Sequence, residues 1–401
     1  MAEIDPLQCA KCGACTVVCP VFQVTGRESC SARGRLHLLE RLDPALASTA
    51  YAEILSQCLL CGACGSVCSR GLDPPTRFIA ARKKLRKITG RQVVLRAITQ
   101  TTLNNPALLA AIASFGRFLL DQLPADSGLR LHLGLPSKDL ALHPAPPAIQ
   151  VQKSTPPALT YFPGCYATHL HRQIGTATER IATAFTGNHP LRPKQQCCCG
   201  LAAKNSGDTA NARHLARQNI LAFTGNSLPI LTSCSSCYSH LCRYPELFAD
   251  DPEWQKKAQA FAGRLLEFST FVAQAMSTAP TLPFVAPKTA RTVVYHDPCH
   301  LRFQARITSP PRKIIQTIPG LHLAELPNGA QCCGQGGLFH LAQPELTEKI
   351  RDHLLEQIKQ VAPDLVTTTC SGCLIHIQQG LSHDPTQPDV RHLALVLAEF
   401  L

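Results

Sequence analysis

Eighteen of the 21 cysteines in this 401-residue chain fall into four spaced sets. Cys9, Cys12, Cys15 and Cys19 precede Pro20, and Cys58, Cys61, Cys64 and Cys68 repeat their pitch. The third set is Cys165, the pair Cys198-Cys199 before Gly200, then Cys234 and Cys237. The fourth is Cys299, the pair Cys332-Cys333 before Gly334, then Cys370 and Cys373. The thiolate is the metal-binding form of cysteine, and thiolates two or three residues apart on a loop can converge on one centre. The odd total and the clustering argue against a secreted disulfide framework. Cys30, Cys197 and Cys242 stand outside the sets. Cys30 and Cys242 are read as ordinary thiols, whereas Cys197 extends the first pair to a triplet and is a weaker candidate for a substitute ligand.

The first two sets read C-x2-C-x2-C-x3-C, the spacing of a bacterial ferredoxin with two clusters, in which the fourth cysteine of each run serves the other cluster. Cys9, Cys12, Cys15 and Cys68 are therefore assigned to one [4Fe-4S] cluster, and Cys58, Cys61, Cys64 and Cys19 to the other. Zinc pairs of C-x2-C are normally separated by longer loops. Ser69 stands where proline often follows the fourth cysteine, but proline is not a ligand.

Five cysteines in each later set exceed the four a tetrahedral ion needs. The pattern resembles the cysteine-rich CCG domain, found in the B subunit of heterodisulfide reductase as a holder of non-cubane [4Fe-4S] clusters. A ferredoxin part followed by two such domains resembles the iron–sulfur subunit of glycolate or D-lactate oxidase, and is similar to the fused D subunit of heterodisulfide reductase. Cys19-Pro20 to Leu36 and His296-Asp-Pro-Cys-His-Leu301 look like the glycolate-oxidase type. The resemblance implies two [4Fe-4S] clusters, one or two further non-cubane clusters, and FAD on a partner subunit. Zinc held by four of the five cysteines is the alternative in either CCG domain. His296 and His300 flank Cys299 and are read as tuning or hydrogen-bonding cluster sulfur rather than ligating iron; His300 is also a candidate for proton delivery.

The function expected from the resemblance is relay of electrons from the flavin subunit of a glycolate or D-lactate dehydrogenase to a quinone or other carrier. No residue of this chain is then assigned the C–H chemistry. Subunits of this family often carry one degenerate CCG motif, whereas both are complete here. That moves some weight toward the alternative, a heterodisulfide-reductase-like subunit reducing a disulfide at the CCG domains. A scaffold with structural zinc is the third reading. No C-x2-C-H haem motif, G-x-G-x-x-G after a strand, or Walker A sequence occurs, so no flavin, nicotinamide or nucleotide site is expected in this chain.

The elements positioning these residues read as an α+β multidomain chain: a helical two-cluster ferredoxin domain (1–90), a helical segment and Pro-rich linker (91–157), and two repeated α/β CCG domains with parallel sheets (158–278 and 288–401). Ser31 to Leu42 and Arg77 to Ile88 read as helices of the first part. In the repeat, 32 residues separate Cys165 from Cys198 and again Cys299 from Cys332. Apolar runs enter Cys165, Cys234, Cys299 and Cys370, and amphipathic helices are expected over Asp208–Phe223 and Glu345–Val361. Strands alternating with helices imply a parallel sheet, with the cysteines at the carboxyl ends of strands, where open sheets place their sites. Met276 to Ala290 is read as the separator of the two copies.

The formal charge is +12. Arg77, Arg82, Lys83, Lys84, Arg86, Lys87, Arg91 and Arg96 lie together without an acidic residue, as a solvated helix face or a docking surface for an acidic subunit or anionic lipid. Aromatics make up 5% and no nucleic-acid motif is present, so nucleic acid is not an expected partner. No apolar run reaches the roughly 18 residues of a membrane span. With cysteine already at residue 9, no signal peptide is expected. The expected location is the cytoplasm, or the periphery of the inner face of its membrane.

Overall fold

The computed structural model describes residues 8–46, 48–85, 156–279, 284–285, 289–381 and 387–401, with isolated positions between 101 and 111. The expected helical segment 91–123 and the Pro-rich stretch 124–157 lie almost wholly outside these residues.

The N-terminal part is helical. Short helices Ala14–Val17 and Ala63–Ser66 each begin inside a cysteine run. The helix expected over Ser31 to Leu42 spans Ala32–Arg41, with the Ser31 side chain capping the Gly34 amide. Leu42 is extended and about half exposed, because the chain leaves the helix ahead of Asp43-Pro44. The basic helix starts earlier than expected, at Pro74–Leu85; prolines fit a first turn, where their missing N–H costs nothing. Leu36, Leu55, Leu60, Phe78 and Leu85 form the core beneath the cysteine loops.

Two parallel sheets follow. The first has order β1-β2-β3, with β1 Thr160–Phe162, β2 Ile230–Thr232 and β3 Leu265–Glu267. The second has order β5-β4-β6-β7, with β4 Arg291–Tyr295, β5 Leu321–Ala324, β6 Leu365–Thr368 and β7 Asp389–His392. Strands β1, β2 and β3 correspond to β4, β6 and β7. The first copy retains, in place of β5, a single parallel bridge between Thr160 and Leu191. The amphipathic helices span Thr209–Ala222 and Pro344–Val361. Met276 belongs to the helix Phe268–Thr278 rather than to a separator; its side chain joins the core shared by the two copies.

The two CCG domains pack at the carboxyl ends of their central strands. Ser235 N donates to Thr369 O at 2.9 Å, and buried His392 donates from Nε2 to Ser233 O at 3.0 Å. Each copy repeats one brace: Tyr161 Oη meets Ser233 Oγ at 2.7 Å, and Tyr295 Oη meets Thr369 Oγ1 at 2.9 Å. One continuous core runs through both domains and includes Cys198, Cys199, Cys234, Cys237, Cys333, Cys370 and Cys373.

The helical part docks on both. Arg82, expected on a solvated or docking face, is buried. It donates to the carbonyls of Leu55, Ser56 and Cys58 within its own part, and to Asn205 O of the first CCG domain at 2.9 Å. Lys83 and Lys84 are exposed. Gln304 Nε2 donates to Leu60 O at 3.1 Å, and Val21 and Leu59 pack in one apolar cluster with Phe339 and Ile350 of the second CCG domain.

Candidate metal centres

Cys9, Cys12, Cys15 and Cys68 line one cavity of the helical part. Cys19, Cys58, Cys61 and Cys64 line the next, and Cys64 stands in the wall between the two. The fourth cysteine of each run thus reaches the other run's cavity. Lys11 and Leu60, at matching positions, take left-handed φ of 57° and 58°. Such φ costs a non-glycine residue about 1–2 kcal/mol. The turn aims their amides back at sulfur: Lys11 N reaches Cys9 Sγ at 3.4 Å and Leu60 N reaches Cys58 Sγ at 3.5 Å.

The same device recurs at both Cys-Cys-Gly turns. Gly200 N lies 3.5 Å from Cys198 Sγ, and Gly334 N lies 3.4 Å from Cys332 Sγ. Here the left-handed residue is glycine, at φ 86° and 83°. A Cβ on Gly334 would come within 2.7 Å of Thr347 O, so the backbone itself requires glycine. Amide donors of this kind tune thiolate-bound centres. Sequence reasoning did not foresee them, although the matching C-x-[KL]-C and C-C-G turns carried the signal.

Two arginines of the Arg33-Gly-Arg35 step serve one cavity each. Arg33 lines the first and is paired with Glu28 at 2.7 Å. Arg35 lines the second, is 1% exposed, and donates to the carbonyls of Cys30, Ile54 and Gln57. Cys30 fills the space beside it, its thiol 3.2 Å from Gln57 Oε1.

In the first CCG domain all five cysteines converge. Cys165 and Cys198 are hydrogen-bonded, which with burial pushes the Cys165 thiol up. Hydrogen bonds with Cys198 and Cys237 bring Cys199 down to about 6. Asn219 Nδ2 holds the Cys198 carbonyl at 2.9 Å, and Tyr244 Oη holds that of Cys199 at 2.8 Å. Buried Cys197 turns away toward the carbonyls of Cys198 and Leu215 and does not join the set. Cys242 is paired with Tyr238 instead. In the second domain Cys299 bonds to Cys332, and Cys333 Sγ lies 3.2 Å from Cys373 Sγ. His376 meets the Cys333 carbonyl, the role Tyr244 fills in the first copy. Five-residue π-helical turns, Tyr166–Leu170 and His300–Gln304, follow Cys165 and Cys299, a geometry frequent at functional sites.

The sets adjoin one another. Cys61 is pushed well up by burial and then by Cys332 across the docking contact. Cys370 is pushed up to about 12 chiefly by its hydrogen bond with Cys234 of the other CCG domain. Ser236 Oγ bridges His300 Nδ1 at 2.9 Å and Cys370 Sγ at 3.2 Å. Buried sulfurs this close cannot all ionise without positive charge among them, so the donor sets fit metal.

A tetrahedral zinc with Zn–S of about 2.3 Å holds its sulfurs about 3.8 Å apart. Among the described residues, the group of three ligand atoms lying within 4.8 Å of one another is His296, Cys333 and Cys373. The eight ferredoxin-type sulfurs are more widely spread, and their cavities fit an extended iron–sulfur core.

Comparison with known proteins agrees with this architecture. Residues 6–72 match the 4Fe-4S dicluster domain, and residues 159–242 and 293–378 match the CCG cysteine-rich domain. The chain is 28% identical to the probable glycolate oxidase iron-sulfur subunit of Bacillus subtilis, over 100% of this chain and 95% of that protein. It is 32% identical to lactate utilization protein A of a Geobacillus species, over 60% of this chain and 98% of that protein. The chain belongs to the family of these CCG iron–sulfur subunits. The glycolate oxidase iron-sulfur subunit of Escherichia coli, another member, is 24% identical over 92% of this chain and 89% of its own. The dicluster domain of this family member implies two [4Fe-4S] clusters, and its CCG cysteines are a further set of candidate metal donors. Among the described residues no helix is long and apolar enough to cross a membrane.

Proposed function

We propose that this chain is the electron-transfer subunit of a flavin-dependent 2-hydroxy-acid dehydrogenase acting on glycolate or D-lactate, with FAD on a partner subunit. The observation that carries the reading is the unbroken succession of four cysteine sets. Cys64 adjoins both ferredoxin-type cavities, Cys61 adjoins Cys332, and Cys370 adjoins Cys234. Cys9, Cys12, Cys15 and Cys68 would hold one [4Fe-4S] cluster and Cys19, Cys58, Cys61 and Cys64 the other; Cys165, Cys198, Cys199, Cys234 and Cys237, and Cys299, Cys332, Cys333, Cys370 and Cys373, would hold the CCG centres. Bound clusters of this kind accept one electron at a time, which suits them to dividing the pair a flavin releases. The protein's contribution is to seat the ligands, exclude water and aim amides at the sulfurs. The relatives named as glycolate oxidase subunits over nearly their full length support the substrate class. The acceptor is proposed as a quinone or other carrier, reached from the cytoplasm or the inner membrane face.

The test is anaerobic isolation of the native complex, followed by visible spectra on addition of glycolate and then D-lactate. Bleaching of the iron–sulfur absorbance with flavin present is expected. A complex with no flavin and no bleaching sinks the reading. The contact of Cys234 with Cys370 between two complete CCG sets favours the rival activity, reduction of a disulfide. Re-oxidation of chemically reduced protein by a disulfide would decide for it.

A further inference from the structure

Two fully buried histidines, His240 and His296, lack nitrogen or oxygen partners at both ring nitrogens, and among the described residues His296 is the one grouped with thiol sulfurs. It is 1% exposed, neither ring nitrogen meets a nitrogen or oxygen partner, and the ring faces the Cys333 thiol. A buried imidazole that faces thiols instead of nitrogen or oxygen partners calls for a bound ion or a functional role. Its ligand nitrogen, Cys333 Sγ and Cys373 Sγ all lie within 4.8 Å of one another.

The first CCG domain shows what the position holds when only packing is required. Tyr161 and Tyr295 make matching hydroxyl contacts at the ends of β2 and β6, which fixes the register of the repeat. The next residues are then Phe162 and His296. Phe162 is fully buried against Phe223, with ring centroids 6.0 Å apart. An apolar ring therefore fills this place in one domain without a polar penalty, while the other has an imidazole facing two thiols.

The imidazole is also held in place. His296 N donates to Thr367 O at 2.8 Å, extending the β4–β6 pairing. The next residue, Asp297, accepts two bonds from Arg312, at 2.9 and 2.7 Å, and one from Arg302 at 3.3 Å. His376 orients Cys333 through its carbonyl. A neutral imidazole beside thiolates suits zinc or iron, and histidine can replace cysteine on cluster iron.

We propose that His296 is a metal ligand of the second CCG domain, whose centre is a mixed histidine–thiolate site, whereas the first domain's centre is bound by thiolates alone. The proposal rests on the reading that the second CCG set binds metal. It goes beyond the five cysteines and separates the two domains, which the repeat makes look equivalent. Ligation takes the lone pair of one ring nitrogen and adds no redox step.

The test uses the full chain, isolated without oxygen and labelled with 15N-histidine. Iron and zinc are counted first. An iron centre is then examined by pulsed EPR for directly bound histidine nitrogen, and a zinc centre by X-ray absorption for one nitrogen scatterer. The expected result is histidine nitrogen in the wild type that is lost in His296→Phe, which should also hold its metal at least about 10-fold more weakly. His296→Cys should restore retention with a sulfur ligand. The signals of the two ferredoxin-type clusters should persist in both variants, which confirms folding. Metal present with an all-sulfur shell, nitrogen coupling that survives His296→Phe, or only an exchangeable proton coupling would overturn the proposal. Iron for two cubanes alone, and no zinc, would overturn both the proposal and the reading beneath it; the metal count tells the two failures apart.

Discussion

Replacing Arg35 with methionine should destabilise the ferredoxin-type part far more than a surface change would. The guanidinium is 1% exposed and spans three carbonyls from two separated segments: Cys30, Ile54 at 2.8 Å and Gln57 at 2.9 Å. Methionine occupies much of the same volume but donates nothing. The bond to Cys30 is wholly buried, so that carbonyl loses its only guanidinium donor without water at hand, while the other two are partly accessible. An unsatisfied carbonyl is destabilising by about 1–3 kcal/mol, so the three together should cost about 3–5 kcal/mol. That is a large share of the roughly 5–15 kcal/mol by which domains are stable. Arg35→Lys keeps the charge, but one ammonium cannot span all three carbonyls, so an intermediate loss of about 2 kcal/mol is expected. Anaerobic guanidinium titration reads the effect in two places. Visible absorbance follows loss of the iron–sulfur centres, and fluorescence of Trp254, the chain's single tryptophan, follows the first CCG domain. The absorbance transition should move to lower denaturant and the fluorescence transition much less. Arg35→Met within about 1 kcal/mol of wild type would refute the claim that these three bonds hold the second cavity together.

Other expectations follow from single contacts. Arg82→Met removes bonds to Leu55, Ser56, Cys58 and Asn205; a loss of about 3 kcal/mol and faster proteolysis between the helical part and the first CCG domain are expected in limited digestion. Asp297→Ala removes the buried carboxylate that Arg312 and Arg302 share, while Arg312 keeps Glu325, and thermal unfolding should report about 1–3 kcal/mol of destabilisation. Burial, with nearby Arg243, lowers Lys204 to about 8. The unfolded lysine keeps its proton up to about 10.4, so stability should rise with pH between those values by on the order of 3 kcal/mol. Denaturation midpoints across that window should show the rise in the wild type and lack it in Lys204→Met. Gly34→Ala would drive a Cβ into the Glu28 carbonyl oxygen, and at least about 2 kcal/mol of destabilisation is expected on denaturant titration.

What the sequence determined by itself is what depends on neighbours along the chain. The pitch of Cys9 to Cys19 and of Cys58 to Cys68, the two Cys-Cys-Gly turns and the duplicated spacing are local, and they specify a helical dicluster part followed by two α/β repeats. The strands entering Cys165, Cys234, Cys299 and Cys370 were legible as apolar runs. Strands β3, β5 and β7 were not, since three or four residues such as Leu265-Leu-Glu267 or Asp389-Val-Arg-His392 show no period of their own and become strands only by pairing with a buried neighbour. Tertiary packing alone decided that Arg82 is a buried clasp rather than part of a solvated face. It also brought Cys61 to Cys332 and Cys234 to Cys370. His296 reads in sequence as a neighbour of Cys299, yet it faces Cys333 and Cys373. Which thiols stand together within one run is set by short loops of fixed reach. Which centres adjoin, and which imidazole enters one, is set by how separate cores close on each other, and no local spacing encodes that.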